Sequence, residues 1–166
     1  MQYLTGRLAF AIPCKLNSCG IWNISKKDFM DEEKFKLSES EGSFFGDWGI
    51  ETNKLVPGRE YCCYNVANHL RAYLDLLMLG EFDQLIGLYD EGIADARCRL
   101  DLFMILNSKV RRTPMWEVVK PFMSQEFGSL WDSFLRGIEQ SSEIVEKNYR
   151  EFQKLMDRKE KAIYGR

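Results

Sequence analysis

"YNVANHLRAYLDLLMLGEF", residues 64–82, decides how the rest of the chain is read. Val66, Leu70, Tyr73, Leu74 and Leu77 recur at helical spacing and gather within about a third of a turn on a helical wheel. The stretch predicts one helix over residues 65–79, stopped by Gly80. Asn68, Arg71 and Asp75 fall outside the apolar stripe, so Arg71–Asp75 reads as an i,i+4 pair on the surface. His69, the only histidine, lies at the margin of the stripe on the side of Asn65, Ala72 and Leu76. Two readings follow: a catalytic face built on His69, or a core helix with a histidine at its boundary.

Downstream the pattern stays helical. A second helix is expected over residues 82–90 and a third over 94–107. Arg111 to Pro114 form a break, with Pro114 suited to the start of the next helix. Pro121 inside "MWEVVKPFMSQEF" predicts a kink or two short helices. The last segment, 129–164, carries Trp131, Phe134, Leu135, Ile138, Val145, Tyr149, Phe152 and Met156 at spacings of three, four or seven. Such a helix would span roughly 54 Å at 1.5 Å per residue. A domain of ~130 residues is nearer 35–40 Å across. The helix therefore either packs over the others and bends, or pairs with a second chain through Ile138, Val145, Tyr149, Phe152 and Met156. A homodimer is the expected form of that pairing.

Upstream, residues 2–12 alternate imperfectly, with Leu4, Leu8, Phe10 and Ile12 on one side, and read as a strand ended by Pro13. "KLNSCG" is a turn, and "IWNIS" (21–25) reads as a second strand, making a hairpin. Residues 26–43 are highly charged; Ser25 or Asp28 would cap a short helix, and "SESEG" reads as a mobile loop. "SFFGDWGIE" (43–51) places Phe44, Phe45 and Trp48 among two glycines, which deny it a long helix or regular strand. A Pro57-Gly58 turn precedes the long helix. The expected fold is α+β: a small N-terminal β-hairpin region followed by a mainly α-helical bundle with a long C-terminal amphipathic helix. Residues 1–128 would form the core domain and 129–166 a packing or dimerisation arm.

Length and composition suit this plan. The chain has 166 residues, 45% hydrophobic and 29% charged, as in ordinary globular proteins. A net charge of −2 gives no global electrostatic case for nucleic acid. No apolar run reaches the length of a membrane span, and the N-terminus lacks a secretory pattern, so a cytoplasmic protein is expected. The five cysteines, Cys14, Cys19, Cys62, Cys63 and Cys98, form no paired motif and read as reduced thiols. Cys14, Cys19, Cys62 and His69 can be combined into a zinc site only on paper, and no metal or cofactor is expected.

Catalytic templates are incomplete. Any Ser-His-Asp or Cys-His arrangement must use His69, and there is no nucleophile elbow, P-loop or dinucleotide fingerprint. "YNVANH" resembles the Arg-Asn-x-x-x-His signature of HEPN-type ribonucleases at Asn65 and His69. That resemblance implies a phosphodiester site on one helix, usually shared across a dimer. Here Tyr64 stands at the arginine position and supplies no fixed positive charge. The aromatic loop has two readings: a plug that closes the core, or an interaction site with Phe44, Phe45, Asp47 and Trp48 as anchors and Glu39 and Glu41 beside them. The acidic residues would select a basic partner, such as a nucleic-acid-binding protein. The basic C-terminal end, with Lys154, Arg158, Lys159, Lys161 and Arg166, leaves a nucleic-acid-binding regulator as an alternative.

The pattern "YLTG…AFAIPCKL…CGIW…FGDWGIE…YNVANHLRAYLDLL" resembles an uncharacterised family of small proteins from bacterial mobile elements and prophages. Where that family has a Trp-His pair after Cys-Gly, this chain has Trp22-Asn23. The resemblance implies an accessory protein such as an antitoxin or an anti-CRISPR-like phage regulator. The combined expectation is a non-enzymatic protein that binds and inhibits or regulates a macromolecular partner, with no catalytic residues.

Overall fold

The computed structural model describes residues 1–20, 23–88, 93, 96–141, 143 and 147. The chain divides into two compact units, Met1–Glu126 and Phe127–Arg166. The first unit is α+β. Its described elements are β1 (Gln2–Leu4), α1 (Arg7–Phe10), α2 (Lys26–Met30), β2 (Leu37–Glu39), β3 (Ile50–Leu55), β4 (Cys63–Ala67), α3 (His69–Leu79), α4 (Ala96–Ile105) and α5 (Trp116–Phe127). A 3₁₀ turn, Phe82–Gln84, follows α3, and a π turn, Leu106–Val110, extends α4. The last residue of α5 belongs to the second unit.

The sheet has the order β2-β1-β4-β3. β1 runs antiparallel to β2 and parallel to β4, with Leu4 opposite Val66. β3 and β4 form an antiparallel hairpin across the Val56-Pro57-Gly58 turn. The expected hairpin between residues 2–12 and 21–25 is therefore corrected. β1 ends at Leu4 because Gly6, at φ 69°, turns the chain into the short helix α1, which buries Leu8, Ala9 and Phe10. Ile21 and Trp22 lie outside the described residues, and residues 23–25 carry no strand. The "SESEG" stretch is not simply a loop: Ser38 and Glu39 pair with β1, and Ser40 is buried.

The opening stretch is corrected as well. Residues 63–67 are strand, and helix begins only at His69. Val66 and Ala67 fit either pattern by periodicity; pairing to Leu4 and Ile50 decides for the strand. Asn68 separates the two as N-cap, its side chain accepting from the Arg71 N–H at 2.8 Å. Gly80, at φ 76°, closes the helix in the left-handed conformation. Every residue from His69 to Leu77 is buried, so α3 has no solvent face over that length. α3 packs on α1, α4 and β4. Leu4, Phe10, Tyr73, Leu74, Leu77, Leu102 and Leu106 form the core around it.

The sheet edges are short or irregular. β3 carries a register shift between Glu51 and Lys54, where Asn53 adopts φ 58°. Bulges and charges of this kind blunt an edge against pairing with another strand.

The third expected helix matches α4 closely. Of the second expected helix, Phe82–Gln84 is a 3₁₀ turn and residues 89 and 90 lie outside the described set. Of the kink or two short helices expected at Pro121, the two helices are not formed: α5 runs as one helix through it. In the second unit, residues 129–141 are helical. Trp131 and Leu135 are buried and Phe134 and Ile138 half-buried among exposed neighbours, and the Trp131 and Phe134 rings stack at 5.8 Å. Val145, Tyr149, Phe152 and Met156 lie outside the described residues, as does most of the expected long helix. No helix among the described residues is long and apolar enough to cross a membrane.

A candidate partner-binding loop

Residues 40–49 leave β2 and return to β3 through a run of tight turns. The Ser43 N–H bonds Ser40 O, Gly46 N–H bonds Ser43 O, and Trp48 N–H bonds Phe45 O, at 3.1–3.2 Å. Gly42, Gly46 and Gly49 all have positive φ. At Gly49 the requirement is double: φ is 75°, and a Cβ would stand 2.7 Å from the Cβ of Arg71. The Gly49 carbonyl accepts from the Asn68 N–H at 2.8 Å, so the loop ends against the N-terminus of α3.

Arg71 holds this loop. Its side chain is fully buried. Nε donates to Asp75 Oδ1 at 2.7 Å. Nη1 donates to the carbonyls of Gly46 and Trp48 at 2.7 and 2.6 Å. Nη2 donates to Tyr3 Oη at 2.8 Å and Ser43 Oγ at 3.0 Å. Every N–H of the guanidinium is thereby directed at an acceptor, which is what allows the charge to be buried. Asp75 Oδ2 accepts from Tyr3 Oη at 2.9 Å and Thr5 Oγ1 at 2.6 Å. Burial, and the Asp75 carboxylate beside it, push the Tyr3 phenol up, so it stays protonated as a donor. The surface Arg71–Asp75 pair expected from the wheel is thus a buried junction of strand, helix and loop. The wheel failed here because the loop covers the polar face of α3 and supplies acceptors to it.

The clamp sorts the aromatic side chains. Phe45 turns inward, 6% exposed, with its ring 5.6 Å from the Arg71 guanidinium. Phe44 and Trp48 remain 46% and 43% exposed. Phe44 stands edge-on to Phe45 at 4.9 Å, and Trp48 lies 6.4 Å from it. The rings divide: Phe45 plugs the core, as the first reading expects, while Phe44 and Trp48 face solvent. Asp47 is exposed, and its Oδ1 accepts from the hydroxyl of buried Ser40. Glu39 accepts from Gln2 Nε2 at 2.9 Å. Glu41 is exposed and makes no side-chain hydrogen bond or ion pair among the described residues.

No protein-family model, no curated protein and no solved structure matches this chain. The loop is therefore read from its own geometry.

The other sequence candidates do not come together. His69 is 1% exposed; its Nε2 donates to the Ile12 carbonyl at 3.0 Å and its ring lies 5.4 Å from Phe10. Asn65 sits on β4, its Nδ2 donating to the Gln2 carbonyl at 2.9 Å. Tyr64 is also on the strand, accepting from Cys62 Sγ at 3.1 Å. Asn65 and His69 therefore do not share one helix, as the HEPN-like resemblance implies they would. Among the described residues no three of His, Cys, Asp or Glu gather as a metal site. None of the five cysteines forms a disulfide, and Cys14 and Cys98 are buried. A cleft of about 590 Å³, lined in part by Arg7, Asp28, Lys34, Lys36 and Glu81, escaped the sequence reading. Its charges are mixed, and Asp28 and Lys34 already pair at 2.6 Å.

Proposed function

We propose that the protein is a non-enzymatic binding regulator, of the antitoxin or phage anti-defence type, that acts by docking this loop onto a protein partner. The observation that carries the reading is the exposure of Phe44 and Trp48 on a backbone that Arg71 clamps. Aromatic anchors on a preformed loop supply contact area at small ordering cost, which is how a few residues come to dominate an interface. The burial of His69 and the place of Asn65 on β4 rather than on α3 support this reading over the ribonuclease alternative.

Affinity purification of the full chain from its native host, with the partner identified by mass spectrometry, tests the reading. A single stoichiometric partner is expected, its affinity reduced roughly tenfold or more by Phe44→Ala with Trp48→Ala. Turnover of a substrate by the purified chain, lost on His69→Ala with the fold retained, would overturn it.

A further inference from the structure

The loop's inner side already accommodates an arginine of this chain. Arg71 lies against the rings of Tyr3 and Phe45 at 5.0 and 5.6 Å while Asp75 accepts from its Nε. The outer side offers the same combination, ring and carboxylate, with no arginine among the described residues bonded to it: Trp48 and Phe44 are exposed, with Asp47 next to Trp48 in the chain. Asp47 is an exposed carboxylate whose backbone and side chain are both held. The carbonyls on either side of it, Gly46 and Trp48, are both bonded to Nη1 of Arg71, and its own Oδ1 is bonded by Ser40. Its Oδ2 has no partner among the described residues.

We propose that the outer face of this loop reads an arginine in a basic segment of the partner, with Asp47 accepting its N–H groups and Trp48 stacking on its plane. The proposal rests on the binding-regulator reading and names the chemistry of the partner. A guanidinium presents a flat face and a fork of donors at once, whereas an ammonium presents a point charge, so arginine is favoured over lysine. Glu39 and Glu41 flank Ser40, whose hydroxyl bonds Asp47, and Glu41, unpaired among the described residues, adds negative charge there that disfavours a phosphate backbone, while Glu39 lies 4.0 Å from the N-terminal ammonium. The cations lying over a loop ring among the described residues, Arg71 and Lys109, stand over the buried Phe45.

The test uses the full chain with a short oligoarginine peptide, an oligolysine peptide of equal length and a single-stranded oligonucleotide. Affinities are measured at low and physiological salt. Oligoarginine is expected to bind roughly tenfold tighter than oligolysine, to perturb the Trp48 indole N–H resonance, and to weaken roughly tenfold in Asp47→Asn and in Trp48→Ala. Asparagine keeps the oxygen that accepts from Ser40, so Asp47→Asn removes charge while preserving the loop; unchanged circular dichroism checks this. Equal affinity for the two peptides, no binding, indifference to both substitutions, or preferential Trp48-dependent binding of the oligonucleotide each overturns the proposal. A host partner that needs Phe44 and Trp48 but is indifferent to Asp47→Asn overturns the arginine assignment alone and leaves the regulator reading standing.

Discussion

Arg71 joins more of the fold than any other described side chain: strand residue Tyr3, helix residue Asp75, and the loop at Ser43, Gly46 and Trp48. Removing one partner of a buried ion pair leaves the other charge in low dielectric, at a cost of about 3–5 kcal/mol. Arg71→Met is therefore expected to lower unfolding free energy by about that amount, as read from denaturant titration. Arg71→Lys keeps a charge but lacks the fork that reaches both carbonyls. In that variant, amide exchange at residues 43–49 should accelerate more than exchange in α4. Equal acceleration in both places would show that Arg71 stabilises the unit without specifically holding the loop.

At the scale of elements, the loop's backbone depends on two glycines in different ways. Gly46 has φ 56° and no atom within 4 Å of where a Cβ would stand, so Gly46→Ala carries only backbone strain, of order 1 kcal/mol. Gly49→Ala adds a collision with the Arg71 side chain at 2.7 Å and should cost more, displacing the clamp as well. Thermal unfolding of the two variants side by side checks the order. Sequence reading reached this loop through its composition: aromatics among glycines exclude regular structure, and that much holds. Which ring turns inward was not legible, because the deciding contact comes from Arg71, 26 positions after Phe45. Period alone marked Leu70, Tyr73, Leu74 and Leu77 of α3 as core, but put Arg71 and Asp75 at the surface, and both are buried. The start of α3 was not legible, since "YNVA" satisfies a helical pattern locally and pairing with β1 and β3 makes it a strand.

For the whole molecule, charge pairs lace together segments far apart in the chain. Lys26 of α2 meets Glu60 beyond the β3–β4 turn at 3.0 Å, and Arg59 bonds both the Phe29 carbonyl and Glu32 at 2.7 Å. The Gly58 N–H and the Lys26 ammonium hold the Glu60 carboxyl down to about 2, and Lys34 with Ser25 holds Asp28 well below the usual carboxylate range. Carboxyls depressed in the folded state add stability above their unfolded pKa, and that stability is lost as pH falls through the folded value. For Glu60 the window runs from the ordinary 4.5 down to about 2. The melting temperature should fall across it. Glu60→Gln should be less stable than the parent at pH 6 and converge with it near pH 2. A constant difference would mean that the ionised carboxylate contributes nothing. At this scale the α+β class was legible from sequence, but the sheet order was not: nothing local announces that residues 37–39 pair with residues 2–4.

The clamp also separates two kinds of sequence freedom. Ser43, Gly46 and Trp48 meet Arg71 through two backbone carbonyls and one hydroxyl, so the hydrogen bonds of the clamp do not use the side chains at positions 44 and 48, which meet the loop through the Phe45 ring. Those two positions can be varied for a new target without breaking the hydrogen bonds of the clamp, whereas Arg71 and Gly49 cannot. The same division makes the segment suited to grafting and library selection, with a fixed anchor beneath and an exchangeable surface above.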